Sequence, residues 1–213
     1  MRVSDIMTTD RFTVTSDKLA SDVEEQMRGA KVRHVLVVDD GKLVGVVSRD
    51  SLPKAAKSLV DSLMPSDLIN VLPKLTAKDI MVKQLVTVTP DTMIEKAVAL
   101  AQEKKVGVLP VVQRDRVFGI VTNDDFFKSI INPILGIGLP GARITLYGNI
   151  ETKDRLAVVG VIAKHKAKVV IASFLFHQWK EQRVWTLHLD VEDASNIVEE
   201  LRGIGYTVEI RER

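Results

Sequence analysis

The chain has 213 residues, 46% apolar and 27% charged, with no Cys; this is a folded globular composition that excludes disulfides, thiolate nucleophiles and sulfur-ligated metals. Thirty Lys+Arg against 28 Asp+Glu leave a net charge of +2, too little for a protein held on nucleic acid by phosphate contacts. No apolar run reaches the ~18–20 residues of a membrane span, and Met1 to Asp5 lack the apolar core of a signal peptide, so a cytoplasmic protein is expected.

The first predicted element is a short β-branched run, Phe12-Thr13-Val14, followed by a helix-start signal at Ser16-Asp17. An amphipathic helix carries Leu19, Val23, Met27 and Ala30 on one face. Strands Val35–Val38 and Leu43–Val47 flank the polar turn Asp39-Asp40-Gly41, and a second helix runs from Arg49 to about Leu59. Residues 53–78 are a connector that Leu63, Leu68, Ile69, Val71, Leu72 and Leu75 make too apolar for a loose tether.

The pattern then repeats. Asp79-Ile80-Met81 restates Asp5-Ile6-Met7 at a shift of 74 positions, and Thr87-Val88-Thr89 restates Thr13-Val14-Thr15. Lys31-Val32, Val37-Val38, Gly45, Val47 and Asp50 recur without a gap as Lys105-Val106, Val111-Val112, Gly119, Val121 and Asp124. The second copy therefore reads as strand Val86–Val88, a helix with Ile94, Ala97, Val98 and Ala101 inward, strands Leu109–Val112 and Val117–Val121 around Gln113-Arg114-Asp115, and a helix from Asn123 to about Ile131. A β-α-β-β-α unit of about 50 residues is too small for a durable core, so the copies should pack on each other.

After the repeat, Gly136, Gly138 and Gly141 have the spacing of a dinucleotide-binding turn, but Pro140 interrupts and a strand-like run follows, which favours a turn-rich linker. Residues 143–213 read β-α-β-β-α-β: strand Arg143–Tyr147, a helix capped by Asp154 with Leu156, Val159, Ile162 and Ala163, then strand Val169–Phe176. Strand Val184–Val191 follows, with Trp185, Leu187 and Leu189 on one face and His188 on an exposed one. Helix Asp193–Leu201 and strand Tyr206–Arg211 complete a ferredoxin-like order.

The doubled copies, opening on Asp-Ile-Met and closing on Gly-Ile-Val-Thr-x-x-Asp, resemble paired CBS domains, a Bateman module, over about residues 5–130. The order of parts resembles the acetoin-utilisation B family, with an ACT-like domain last. The expected fold is α+β: CBS domain 1 at 1–60, connector 61–78, CBS domain 2 at 79–132, linker 133–142 and an ACT-like domain at 143–213. The resemblance implies a non-catalytic regulatory protein that binds an adenine nucleotide (AMP, ADP or ATP) or S-adenosylmethionine, with no prosthetic group. It also implies a homodimer formed through the CBS and ACT-like domains, and room for a second small ligand or a protein partner. The alternative is a structural or partner-binding adaptor with vestigial sites. The turn Thr152-Lys153-Asp154-Arg155-Leu156 lacks the Pro and Gly of amino-acid-binding ACT domains, which argues against that ligand.

In the second copy Gly119 permits close approach, Thr122 offers a hydroxyl, and Asp125 one turn on can accept both hydroxyls of a ribose. The resemblance assigns Thr122 and Asp125 to ribose and phosphate. Ile80, Met81, Val88, Val108, Leu109 and Pro110 are expected around the purine. Thr122 and Asp125 also match a capping box, a role compatible with binding. The first copy has Ser51 where Asp125 stands and Leu36 in place of Pro110, and Asp50 lies ~100° away round the helix. A weaker site is expected there from Met7, Val14, His34, Val35, Ser48 and Arg49, with Arg49 or His34 on a phosphate or Arg49 merely solvated. His34, His165, His177 and His188 form no helical ligand pair, so no metal is expected. Trp179 and Trp185 flank a hairpin turn and are read as packed or at a subunit contact.

Overall fold

A computed structural model of the chain describes residues 1–9, 13–61, 71–148, 150–177 and 182–211. Phe12, the connector residues Leu63, Leu68 and Ile69, and Trp179 lie outside the described residues. The chain forms two compact units, Met1–Phe127 and Lys128–Arg213.

In the first unit, β1 (Thr13–Val14) runs parallel to β2 (His34–Asp39), which pairs antiparallel with β3 (Lys42–Ser48). The second copy contributes β4 (Val108–Gln113) and β5 (Arg116–Thr122). Both hairpins turn through two residues of positive φ, Asp40 and Gly41 at 49° and 78°, and Arg114 and Asp115 at 49° and 63°. That geometry matches the natural twist of the strands. Both hairpins also carry a register shift at the same place, Val37/Val38 and Val111/Val112. The expected strand Val86–Val88 is reduced to a single parallel bridge between Val88 and Val111.

Helices Ala20–Gly29 and Ile94–Lys104 bury Ala20, Val23 and Met27 in one copy and Ile94, Ala97 and Ala101 in the other. Leu19, expected inward, caps its helix from outside and is 40% exposed. The second helices start at Ser51 and Asn123; the latter passes through a π-helical turn, Phe127–Ile131, into Asn132–Leu135.

Each copy lends its leading segment to the other. The Val3 and Ser4 N–H groups donate to the carbonyls of Thr92 (2.8 Å) and Pro90 (2.9 Å), while those of Ala77 and Lys78 donate to Lys18 (2.7 Å) and Ser16 (2.9 Å). Thr8 bridges Ile120, and Val82 bridges Val46, the same pairing 74 positions apart. Ala77 and Ile80 consequently belong to the core of the first copy, with Val14, Val23, Val35 and Val47. The sheets meet through Leu36, Val46 and Val117, with Val108 and Ile120 packed against them. Burying side chains of this size stabilises the pair by about 1.5–3 kcal/mol each.

The second unit is the expected β-α-β-β-α-β: β6 (Arg143–Tyr147), helix Thr152–Lys164, β7 (Val169–His177), β8 (Gln182–Leu189), helix Ser195–Gly203 and β9 (Thr207–Arg211). Its sheet order is β7-β8-β6-β9, antiparallel throughout. Ile144, Leu146, Leu187, Leu189 and Leu201 are fully buried between sheet and helices. Two expectations fail here. The first helix buries Val158, Val161 and Ile162, leaving Leu156 71% and Val159 45% exposed. His188 is 3% exposed because the linker crosses its strand, bringing the Pro140 carbonyl to 2.8 Å from His188 Nε2. Gly141 makes that crossing possible: its φ is +115°, and a Cβ would collide with the Leu189 carbonyl. Of the spaced glycines, Gly141 thus serves a chain crossing that leads into a strand, and Gly136 ends the helix Asn132–Leu135 in the left-handed conformation.

Candidate functional site

Thr122 ends β5 and caps the helix that follows. Its N–H and its Oγ1–H both donate to Asp125 Oδ2 at 2.7 Å, and Asp125 N–H returns a 3.4 Å bond to Thr122 Oγ1. One carboxylate oxygen is thereby fixed, while Oδ1 keeps its lone pairs free of protein donors among the described residues. Ser48 and Ser51 repeat this arrangement with a hydroxyl: Ser48 N–H donates to Ser51 Oγ at 2.9 Å, and the two Oγ atoms lie 3.1 Å apart. Ser51 does occupy the position of Asp125.

The remaining second-copy candidates scatter. Gly119 accommodates the backbone of Thr8. Leu109, 1% exposed, points to the opposite face of β4 from Val108, which packs in the contact between sheets. Pro110 and Val88 are buried. Ile80 and Met81 are placed on the first copy, because the exchanged segment carries them there; Met81 fills the space beside Gly45.

That exchange completes a cavity of about 320 Å³ in the first copy. Ser48 and Arg49, both expected, line it together with Val47, and Ile80 enters from the other copy. Ala20, Glu24, Met27 and Arg28 form the helical wall, which sequence reasoning missed. Their spacing of four, three and one is a helical face, and Glu24 and Arg28 at i and i+4 were the available signal. Of the other first-copy candidates, Val14 and Val35 are core residues, and Met7 follows a segment hydrogen-bonded to the second copy.

His34 is half-buried in β2. Burial, and then the nearby Arg33 guanidinium, hold its pKa below the ordinary value, against the opposite pull of Asp124 and Asp50. Of the two expected anion partners, Arg49 lies on the cavity wall beside Ser48.

Residues 3–58 and 77–132 each match the CBS domain family. The chain belongs to the CBS domain family. Its CBS pair is 33% identical over 130 residues to a homoserine O-acetyltransferase of Methanohalobium evestigatum, a match covering 60% of this chain and 24% of the enzyme. The chain thus spans about a quarter of the length of such relatives. A protein of Methanocaldococcus jannaschii, MJ1426, is 29% identical over 156 residues, 62% of this chain and 92% of that one. Among solved structures, a protein described as an acetoin utilization protein (AcuB) from Vibrio cholerae superposes with a TM-score of 0.53 at 28% identity, covering 62% of this chain and 91% of its own. CBSX2, solved in complex with AMP, gives 0.52 at 28% identity over 62% of this chain and 96% of its own. No helix among the described residues is long and apolar enough to cross a membrane.

Proposed function

We propose that this CBS pair is a non-catalytic regulatory sensor for an adenine nucleotide, AMP, ADP or ATP, or for S-adenosylmethionine. The observation that carries the reading is the Asp125 carboxylate, fixed by two Thr122 donors with one oxygen left over. Such an oxygen suits a ribose diol, and the AMP complex of a CBS protein at 28% identity supports the ligand class. Occupancy regulates by favouring one of two arrangements that differ in affinity. The ACT-like unit takes a second small ligand or a partner in the same reading. Self-association is supported by β7, an edge strand on which Val170, Phe174, Leu175 and Phe176 are half or more exposed.

Calorimetric titration of the full chain with the four ligands tests the proposal. Asp125→Asn, which keeps an oxygen to cap the helix, weakens the preferred ligand about tenfold or more. A chain that gives neither heat nor a melting shift with any of them, but retains a protein partner, is an adaptor instead.

A further inference from the structure

A second cavity, of about 260 Å³, lies in the second unit, where the loop after β6 meets β7 and β8. Gly148, at φ +118°, turns the chain out of β6, and its N–H ties the loop to β8 by donating to the Arg183 carbonyl at 3.1 Å. Phe174 and Trp185, register partners on β7 and β8, stack with ring centroids 5.2 Å apart and planes 8° apart. Trp185 keeps a buried indole N–H without an acceptor among the described residues, an unmet donor beside the cavity. The Arg155 guanidinium lies over Phe174, 4.4 Å from its ring centre, and Arg183 joins it in the lining. Neither arginine has an ion-pair partner among the described residues, and no Asp or Glu among them lines the cavity. Asp154, next to Arg155 in the chain, has both oxygens engaged, by Glu151 N–H at 2.8 Å and Tyr206 O–H at 3.0 Å. Two guanidinium groups beside an aromatic stack suit an anion carried on a flat ring, while an ammonium group finds no counter-ion there.

We propose that this cavity binds a small aromatic acid that carries no amino group. Its carboxylate pairs with Arg155 and Arg183, and its ring lies against Phe174 and Ile150. The volume falls below the ~300–1,000 Å³ of sites for drug-sized ligands, which suits one ring with a short acidic chain. The assignment rests on the reading of the second unit as a small-ligand domain and is independent of any nucleotide at the CBS pair.

Calorimetry on the full chain tests this with probes that share a ring and a three-carbon chain: 3-phenylpropionate, L-phenylalanine, which adds an ammonium, and 3-phenyl-1-propanol, which lacks the charge. AMP is titrated alongside as a separate readout of the CBS pair. Wild type is compared with Arg155→Gln/Arg183→Gln; both arginines are exposed, and an unchanged melting temperature confirms that the variant is folded, with Arg183→Gln alone taking its place should the pair melt early. The expected result is that 3-phenylpropionate binds wild type, weakens about tenfold or more in the variant, and binds about tenfold or more tighter than the other two probes, with the AMP response unchanged by the variant. L-Phenylalanine binding as tightly as 3-phenylpropionate overturns the acid assignment while keeping the second unit as a small-ligand domain. A 3-phenylpropionate affinity untouched by the variant, or equal to that of the alcohol, overturns the role of the arginines and with it the proposal. No response to any of the three overturns both the proposal and the small-ligand reading of the second unit, whatever AMP does.

Discussion

The carbonyl of Thr8 lies directly against Gly119, and the two segments exchange hydrogen bonds, Thr8 N–H to Ile120 at 2.9 Å and Ile120 N–H to Thr8 at 3.0 Å. A methyl group on Gly119 collides with that carbonyl, and backbone on both sides must move. Gly119→Ala is expected to destabilise the first unit by about 1–3 kcal/mol, read as a lower urea midpoint. An unchanged midpoint means that the Thr8 segment does not seat as described.

Gly160 gives the opposite result. It sits inside helix Thr152–Lys164 with nothing within 4 Å of where a Cβ would stand. Gly160→Ala removes unfolded-state freedom without a clash and should stabilise by about 0.4–1 kcal/mol. Thermal melting of the variant checks the sign.

The caps can be tested separately from ligand binding. Asp125→Ala removes the acceptor of Thr122 N–H, and Ser51→Ala removes that of Ser48 N–H, each costing about 0.5–2 kcal/mol of stability. Asp125→Asn retains an oxygen and should cost less than Asp125→Ala. Equal losses in the Asn and Ala variants, measured by denaturant unfolding, contradict the cap.

His34 should make stability fall in mild acid. Its folded pKa lies below the ordinary 6.5, chiefly through burial and then through Arg33, with Asp124 and Asp50 opposing. As pH drops below 6.5, the unfolded chain takes up a proton that the fold resists, so stability decreases from there down through the folded value. Above the unfolded value the contribution is constant. Urea unfolding across about pH 5 to 8 should show a shallower acid slope for His34→Gln than for wild type.

Much of this architecture was legible because the chain states it twice. A register of 74 positions, two polar turns and two caps located both hairpins and the helices Ala20–Gly29 and Ile94–Lys104 to within a few residues, though not the short helices Val3–Asp5 and Ala77–Ile80. The repeat could not reveal which copy each leading segment joins. Ile80 and Met81 precede β4 and β5 in sequence, yet the hydrogen bonds of Ala77 and Lys78 fix them on the first copy. Local pattern also failed where a surface had an unforeseen neighbour. His188 alternates with apolar residues and reads as solvent-facing, but it is 3% exposed. The helical wall of the cavity went unread because Glu24 and Arg28 look like ordinary surface residues until Ile80 is brought opposite them.

The reciprocal clasp of the leading segments has a consequence for the duplicated chain as a whole. Half of the gene, expressed alone, would offer its sheet a vacant seat and its own first residues nowhere to dock. Two such halves mixed in one tube supply what each lacks, so they should reconstitute as a noncovalent pair. A single half would meet the same need by trading strands with its twin.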